Sequence, residues 1–130
     1  MENPVVYVFL NKSFQMSAGK AAAQAAHAVF ASAANTDMSK LQLWMASAHK
    51  TIIVLEARDM THMGGIRKYL SQRGFSTEVV IDEGVNETDP HIATALITDM
   101  LEKDDEHVRK TFSTFDLYRD VITAKIEIQR

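Results

Sequence analysis

Apolar positions run unbroken from Val5 to Leu10, "VVYVFL", between Pro4 and Asn11. A β-rich run without polar alternation predicts a strand covered on both faces, as in a central parallel sheet. The next stretch, "NKSFQMSAG", has the polar and glycine content of a loop. From about Gly19 to Ala34 alanine dominates, which favours a helix, and Ser17 stands where a hydroxyl can cap the first turn. "KLQLWMASAH" predicts a second, short helix with Leu41, Trp44 and Met45 toward the core.

"TIIVLEA", Thr51 to Ala57, is a second buried strand. A helix from about Met60 to Arg73 follows, with Gly74 closing it and Gly64 and Gly65 weakening its first half. "FSTEVVID" predicts a third strand, "EGVNETDP" a turn-rich loop, and "HIATALIT" a short fourth strand. "DMLEKDDEHVRKTF" reads as a helix with Asp99 as its cap and Arg109 and Lys110 near its C-terminal end, where the helix dipole favours cations. The end of the chain alternates apolar and polar from Val121, the pattern of an edge strand or a docking tail.

This order of elements predicts a three-layer α/β/α domain on a four-stranded mixed, mostly parallel sheet. Its 130 residues, 46% of them hydrophobic, suit one domain, 1–130, with residues 111–130 as a C-terminal extension. In such folds ligands sit beyond the carboxyl ends of the parallel strands. Two loops reach that place, residues 11–19 after the first strand and residues 82–90 after the third.

The absence of cysteine excludes disulfides, thiolate metal sites and a cysteine nucleophile, and fits a reducing cytoplasm. No apolar run approaches the roughly 20 residues that span a bilayer, and "MENPVVYVFLN" lacks a signal peptide's basic start. A cytoplasmic protein without a membrane partner is expected. The net charge of -3 gives no overall basic footprint for nucleic acid.

Lys20, Gln24 and His27, spaced by four and three, fall on one helical stripe. By spacing alone the stripe reads first as an ordinary solvated face and second as one wall of a cleft. "GK" at Gly19 and Lys20 is no triphosphatase loop, because Phe14 and Ala21 occupy the places of the required glycine and hydroxyl residue. Lys20 at a helix N-terminus could still receive an anion. Asp82, at the end of a buried strand before Gly84, could project a carboxylate into the same cleft, and Thr94 follows on the fourth strand. Five dispersed histidines offer no metal-binding pair and there is no G-x-S-x-G elbow, so neither zinc nor a serine nucleophile is expected.

The pattern Met-x-x-Gly-Lys-x-Ala-Ala-Gln-x-x-His-Ala, met at Met16, Gly19, Lys20, Ala22, Ala23, Gln24, His27 and Ala28, resembles the first helix of the peptidyl-tRNA hydrolase 2 family. The likeness continues through Trp44, "TIIVLEA" and "VVIDEG", over roughly residues 4 to 110. It implies a peptidyl-tRNA hydrolase II-like fold, a homodimer, no cofactor or metal, and hydrolysis of the ester joining a peptide to the 3'-terminal ribose of tRNA. Carried over by position, it implies catalytic roles for Lys20, His27, Asp82, Asn86 and Thr94, and substrate contacts at Gly19, Gln24, Gly84 and Glu87. The chain departs from the family in one loop. Val85, Asn86 and Glu87 replace the usual basic residue, threonine and glutamine, while Glu83, Glu87 and Asp89 add negative charge that opposes tRNA binding. Two other readings stay open: a binding module that has lost catalysis, and a hydrolase of a smaller ester or amide.

Overall fold

The computed structural model describes residues 2–81 and 93–119. Strand β1 is Pro4–Asn11, β2 Thr51–Ala57, β3 Thr77–Ile81, β4 Ala93–Thr98 and β5 Leu101–Glu102. Helix α1 is Ala18–Ala34, α2 Met38–Ala46, α3 Met60–Gln72 and α4 Glu106–Phe112, and a short 3-10 turn, Lys12–Phe14, follows β1. The sheet order is β2-β1-β4-β3, with β5 also pairing β1.

All eight residues of β1 are buried because helices cover both of its faces. Val6, Val8 and Leu10 join Ala21, Ala28 and Trp44 in one core. Val5, Tyr7 and Phe9 join Met63, Ile66, Leu70, Val108 and Phe112 in the other. That alternation is the three-layer arrangement, with α1 and α2 on one side and α3 and α4 on the other.

The sheet is mixed. β1 and β2 pair in parallel, while β4 is antiparallel to both β1 and β3, so β1, β2 and β3 share a direction and β4 opposes it. Only eleven residues separate β3 from β4, and a parallel neighbour needs a crossover of a dozen or more. The carboxyl ends of three strands therefore meet at one edge, where β4 begins.

Local chemistry sets the helix limits. The Ser17 hydroxyl accepts from the Lys20 N–H and starts α1. Asp37 accepts from the Ser39 N–H and starts α2, and the Ser39 hydrogen bonds hold its carboxyl below the usual range. Asp59 caps α3 by accepting from the His62 N–H. After Arg73, Gly74 takes φ 87°, its N–H donates to Ser71 O, and the Phe75 N–H donates to Leu70 O. This paired closure requires left-handed backbone at residue 74, which glycine adopts without a Cβ penalty.

Three expectations change. Met45 is 64% exposed, because α2 turns Leu41 and Trp44 toward the sheet and Met45, one residue further, points about 100° away. The helix expected over residues 99–112 begins only at Glu106, capped by Asp105, which accepts from the Val108 N–H. Asp99 is no cap. It accepts from the Met100 N–H and from Lys40 Nζ at 2.7 Å, at the point where the chain leaves β4 and pairs again with β1 as β5.

The division expected at residue 111 has no counterpart in the packing. Thr111 and Phe112 are buried, and Phe112 stacks on Tyr7 with ring centroids 4.0 Å apart. Beyond it, Glu56 N–H donates to Asp116 O and Tyr118 N–H to Val54 O, which pairs residues 116–118 along the outer edge of β2. That pairing protects an edge otherwise open to other chains. The alternating segment from Val121 lies outside the described residues.

Phe112→Ala should lower stability by about 3–5 kcal/mol in urea unfolding, as for a large aromatic side chain removed from a packed core. A loss below about 1 kcal/mol would show that α4 is appended to the domain rather than part of it.

Candidate active site

The carboxyl edge of the sheet gathers Asn11, Ala57 and Ile81 at three strand ends, and Ala93 at the start of β4. The turn after β1 leads into α1, so the N-terminal turn of α1, with Gly19 and Lys20, stands at this edge. α1 lies against β1, β3 and β4. Its sheet-facing residues are Ala21, Gln24, Ala28 and Ser32, mostly small, so that one large polar side chain, Gln24, stands out among them.

Gln24 is 1% exposed, and Oε1 accepts from the Thr94 hydroxyl at 2.8 Å. An amide so deeply buried is costly unless it is hydrogen-bonded. Gln24 thus leaves the solvated face, and the other two members of the stripe do not share its burial. Lys20, one turn before Gln24, is half-buried at the rim, whereas His27 lies further along the helix and is exposed.

Thr94 is fully buried and its hydroxyl donates a hydrogen bond to Gln24 Oε1. Its position makes it a residue that holds α1 rather than one that meets solvent water. Among the described residues, none beyond its own neighbours in the chain comes within 4 Å of where a Cβ on Gly19 would stand, so their packing does not demand glycine there. Asp82, Gly84, Asn86 and Glu87 lie outside the described residues; by chain connection Asp82 directly follows Ile81, the last residue of β3.

Sequence reasoning missed three contributors to this edge. Asn11 is one, fully buried at the end of β1. Lys12 and Arg58 are the others, each following one of the paired strand ends Asn11 and Ala57. Lys12 Nζ lies 2.8 Å from Glu56, and that partner raises the Lys12 pKa. Arg58 is exposed, and its backbone N–H donates to His62 Nδ1 at 2.9 Å. The signal for Asn11 was present in "NKS", a polar residue closing a buried run with serine two positions on. No signal along the chain placed Arg58 beside Lys12, because the parallel pairing of β1 with β2 does so.

Two other recesses are formed by the described residues, the first of them away from this edge. A cleft of about 250 Å³ is lined by Ser32, Asn35, Thr36, Glu78 and Asp99 among others; Ser32 is twelve residues beyond Lys20, about 18 Å along the helix. A second, on the α3 side, is lined by His62, Ile66, Tyr69 and Phe115 among others. Among the described residues no three histidine or acidic side chains converge to hold a metal, and no helix is long and apolar enough to cross a membrane.

Comparison with known proteins gives the same direction. The family model described as Peptidyl-tRNA hydrolase PTH2 matches residues 5–118. That span reaches past residue 110, where the resemblance in sequence was expected to end, and takes in α4 and the segment paired with β2. A protein of Pyrobaculum aerophilum named Peptidyl-tRNA hydrolase is 33% identical over 117 residues, which cover 86% of this chain and 95% of the relative. With a family match over residues 5–118 and a relative 33% identical over most of both chains, the chain belongs to the peptidyl-tRNA hydrolase PTH2 family.

Proposed function

We propose that this protein hydrolyses the ester between a peptide and the 3'-terminal ribose of tRNA, acting in the cytoplasm as a homodimer and without a cofactor. The observation that carries the reading is the buried Thr94–Gln24 hydrogen bond. It sets α1 on the sheet so that Lys20 stands at the edge where the chain leaves β3 for Asp82.

Hydrolysis at this edge runs by attack of water on the ester carbonyl. The Asp82 carboxylate, directly or through His27, takes the proton from the attacking water. The carbonyl oxygen becomes an oxyanion, and the Lys20 ammonium stabilises it, an interaction that strengthens as charge develops. Collapse breaks the bond to the ribose 3'-oxygen, which receives the proton, releasing the peptide acid and tRNA. Asn86 orients water through its amide, and Thr94 acts through Gln24. Substrate contacts are assigned to Gly19, Gly84 and Glu87.

Lys12 and Arg58 supply cations near Lys20 for the phosphates of the acceptor end, partly offsetting Glu83, Glu87 and Asp89. The exposed apolar side chains Phe30 on α1 and Leu43 and Met45 on α2 support an interface with a second copy.

Purified protein should release peptide from peptidyl-tRNA, and Lys20→Ala and Asp82→Asn should each lower kcat about 10²- to 10³-fold. No turnover above background, or turnover indifferent to both changes, would contradict the reading. In the same assay between 50 and 200 mM salt, Arg58→Ala should reduce the log–log salt slope of kcat/KM by about 1. Hydrolysis without any salt dependence would point instead to a smaller ester. Light scattering should give twice the 14.5 kDa chain mass; a monomer at micromolar concentration would contradict the homodimer.

A further inference from the structure

Asn11 ends β1 with none of its surface exposed, and the hydrolytic steps above make no use of it. Its side chain joins two stretches of chain that are 80 residues apart. Nδ2–H donates to the Ala93 carbonyl at 2.9 Å. Oδ1 accepts from the Ser13 N–H at 3.0 Å and from the Ser13 hydroxyl at 2.6 Å. Ser13 lies in the 3-10 turn that feeds α1, and Ala93 immediately precedes Thr94.

These contacts close a ring. From Asn11 it passes through Ala93 and Thr94 to Gln24, back one helical turn to Lys20, through the Ser17 cap and the 3-10 turn to Ser13, and returns to Asn11. Lys20 is therefore held from both sides. Thr94 fixes the helix face behind it, and Asn11 fixes the chain that leads into it.

We infer that Asn11 is a positioning residue for ester hydrolysis, setting the entry of α1, and with it Lys20, against the start of β4. The inference rests on the role of Lys20 given under the proposed function. The site demands a short side chain that donates to one partner and accepts from another. Aspartate has the shape but no donor when ionised, and it would set a carboxylate against the Ala93 carbonyl. Leucine fills similar volume and makes neither bond, removing the donor to the buried Ala93 carbonyl and releasing the exposed Ser13 from its tie to β1.

Because a displacement of about 1 Å in a catalytic group can cost roughly 100-fold in rate, Asn11→Asp and Asn11→Leu should lower kcat on peptidyl-tRNA by about 10- to 100-fold. KM should stay within about twofold, since binding groups elsewhere on the edge are untouched. Each variant is assayed below its own melting temperature. In a Lys20→Ala background, measured by single turnover with enzyme in excess, adding Asn11→Asp should change the residual rate by less than about twofold, because its effect passes through Lys20. Ser13→Ala, which removes one bond and leaves the Ser13 N–H in place, should cost kcat a factor of about 2 to 10; it decides the matter if the Asn11 variants do not fold. Folded variants with wild-type kcat, a rise in KM alone, or an undiminished loss in the Lys20→Ala background would overturn the inference. Wild-type protein without turnover would overturn the functional reading and this inference together, an outcome distinct from an active enzyme indifferent to Asn11.

Discussion

The hydrogen bond from Thr94 to Gln24 is the constraint on which the rest of the site depends. The inner face of α1 is otherwise Ala21, Ala28 and Ser32; the Ser32 hydroxyl, donating to Thr98 O at 3.0 Å, ties the far end of the helix to β4, but near Lys20 small side chains alone permit several rotations and depths of a helix on a sheet. Leaving either member of a buried polar pair unsatisfied costs about 1–3 kcal/mol. One pose satisfies it, and that pose sets Lys20 at the carboxyl edge of the sheet. Most of the helix–sheet attraction is apolar burial, and the amide selects among the arrangements that burial allows.

The same edge shows how a chain of net negative charge can present local cations. Lys12 and Arg58 reach it because β1 and β2 pair in parallel and end together at Asn11 and Ala57. Glu56 pairs with Lys12, and a partly exposed pair of this kind adds little stability. Its consequence is local: Lys12 remains charged and held near the strand end. The electrostatics of the site is thus a product of sheet register more than of composition.

Much of this was legible along the chain. The unbroken run Val5–Leu10 reads as a strand covered on both faces, and the structure sorts its residues alternately into two cores. Ser17 as a cap and Gly74 as a helix stop depend on local chemistry, and local chemistry is visible in sequence; Thr51–Ala57 forms the expected strand, but because it lies at the outer end of the sheet only Leu55 and Ala57 of it are buried and Ile52 is exposed. Failures occurred where distant chain segments decide. Asp99 looks like a cap beside an apolar-periodic segment, but pairing of Leu101 and Glu102 with the start of β1 draws that segment into the sheet. Residues 111–118 read as the start of an extension until the ring of Phe112 is seen stacked on Tyr7 and the backbone at residues 116–118 paired with β2. Spacing put Gln24 in a stripe with Lys20 and His27; only packing shows that it is buried while His27 is not.

The central claim is that a bond with no direct part in the chemistry fixes the group that has one. Thr94→Val tests it most directly, since valine keeps the branched shape and removes only the hydroxyl. The measurement is kcat for peptidyl-tRNA hydrolysis by the folded variant, beside its stability in urea. The account expects a folded protein, destabilised by about 1–3 kcal/mol, with kcat reduced at least about tenfold and KM nearly unchanged. A folded Thr94→Val protein with wild-type kcat would contradict it.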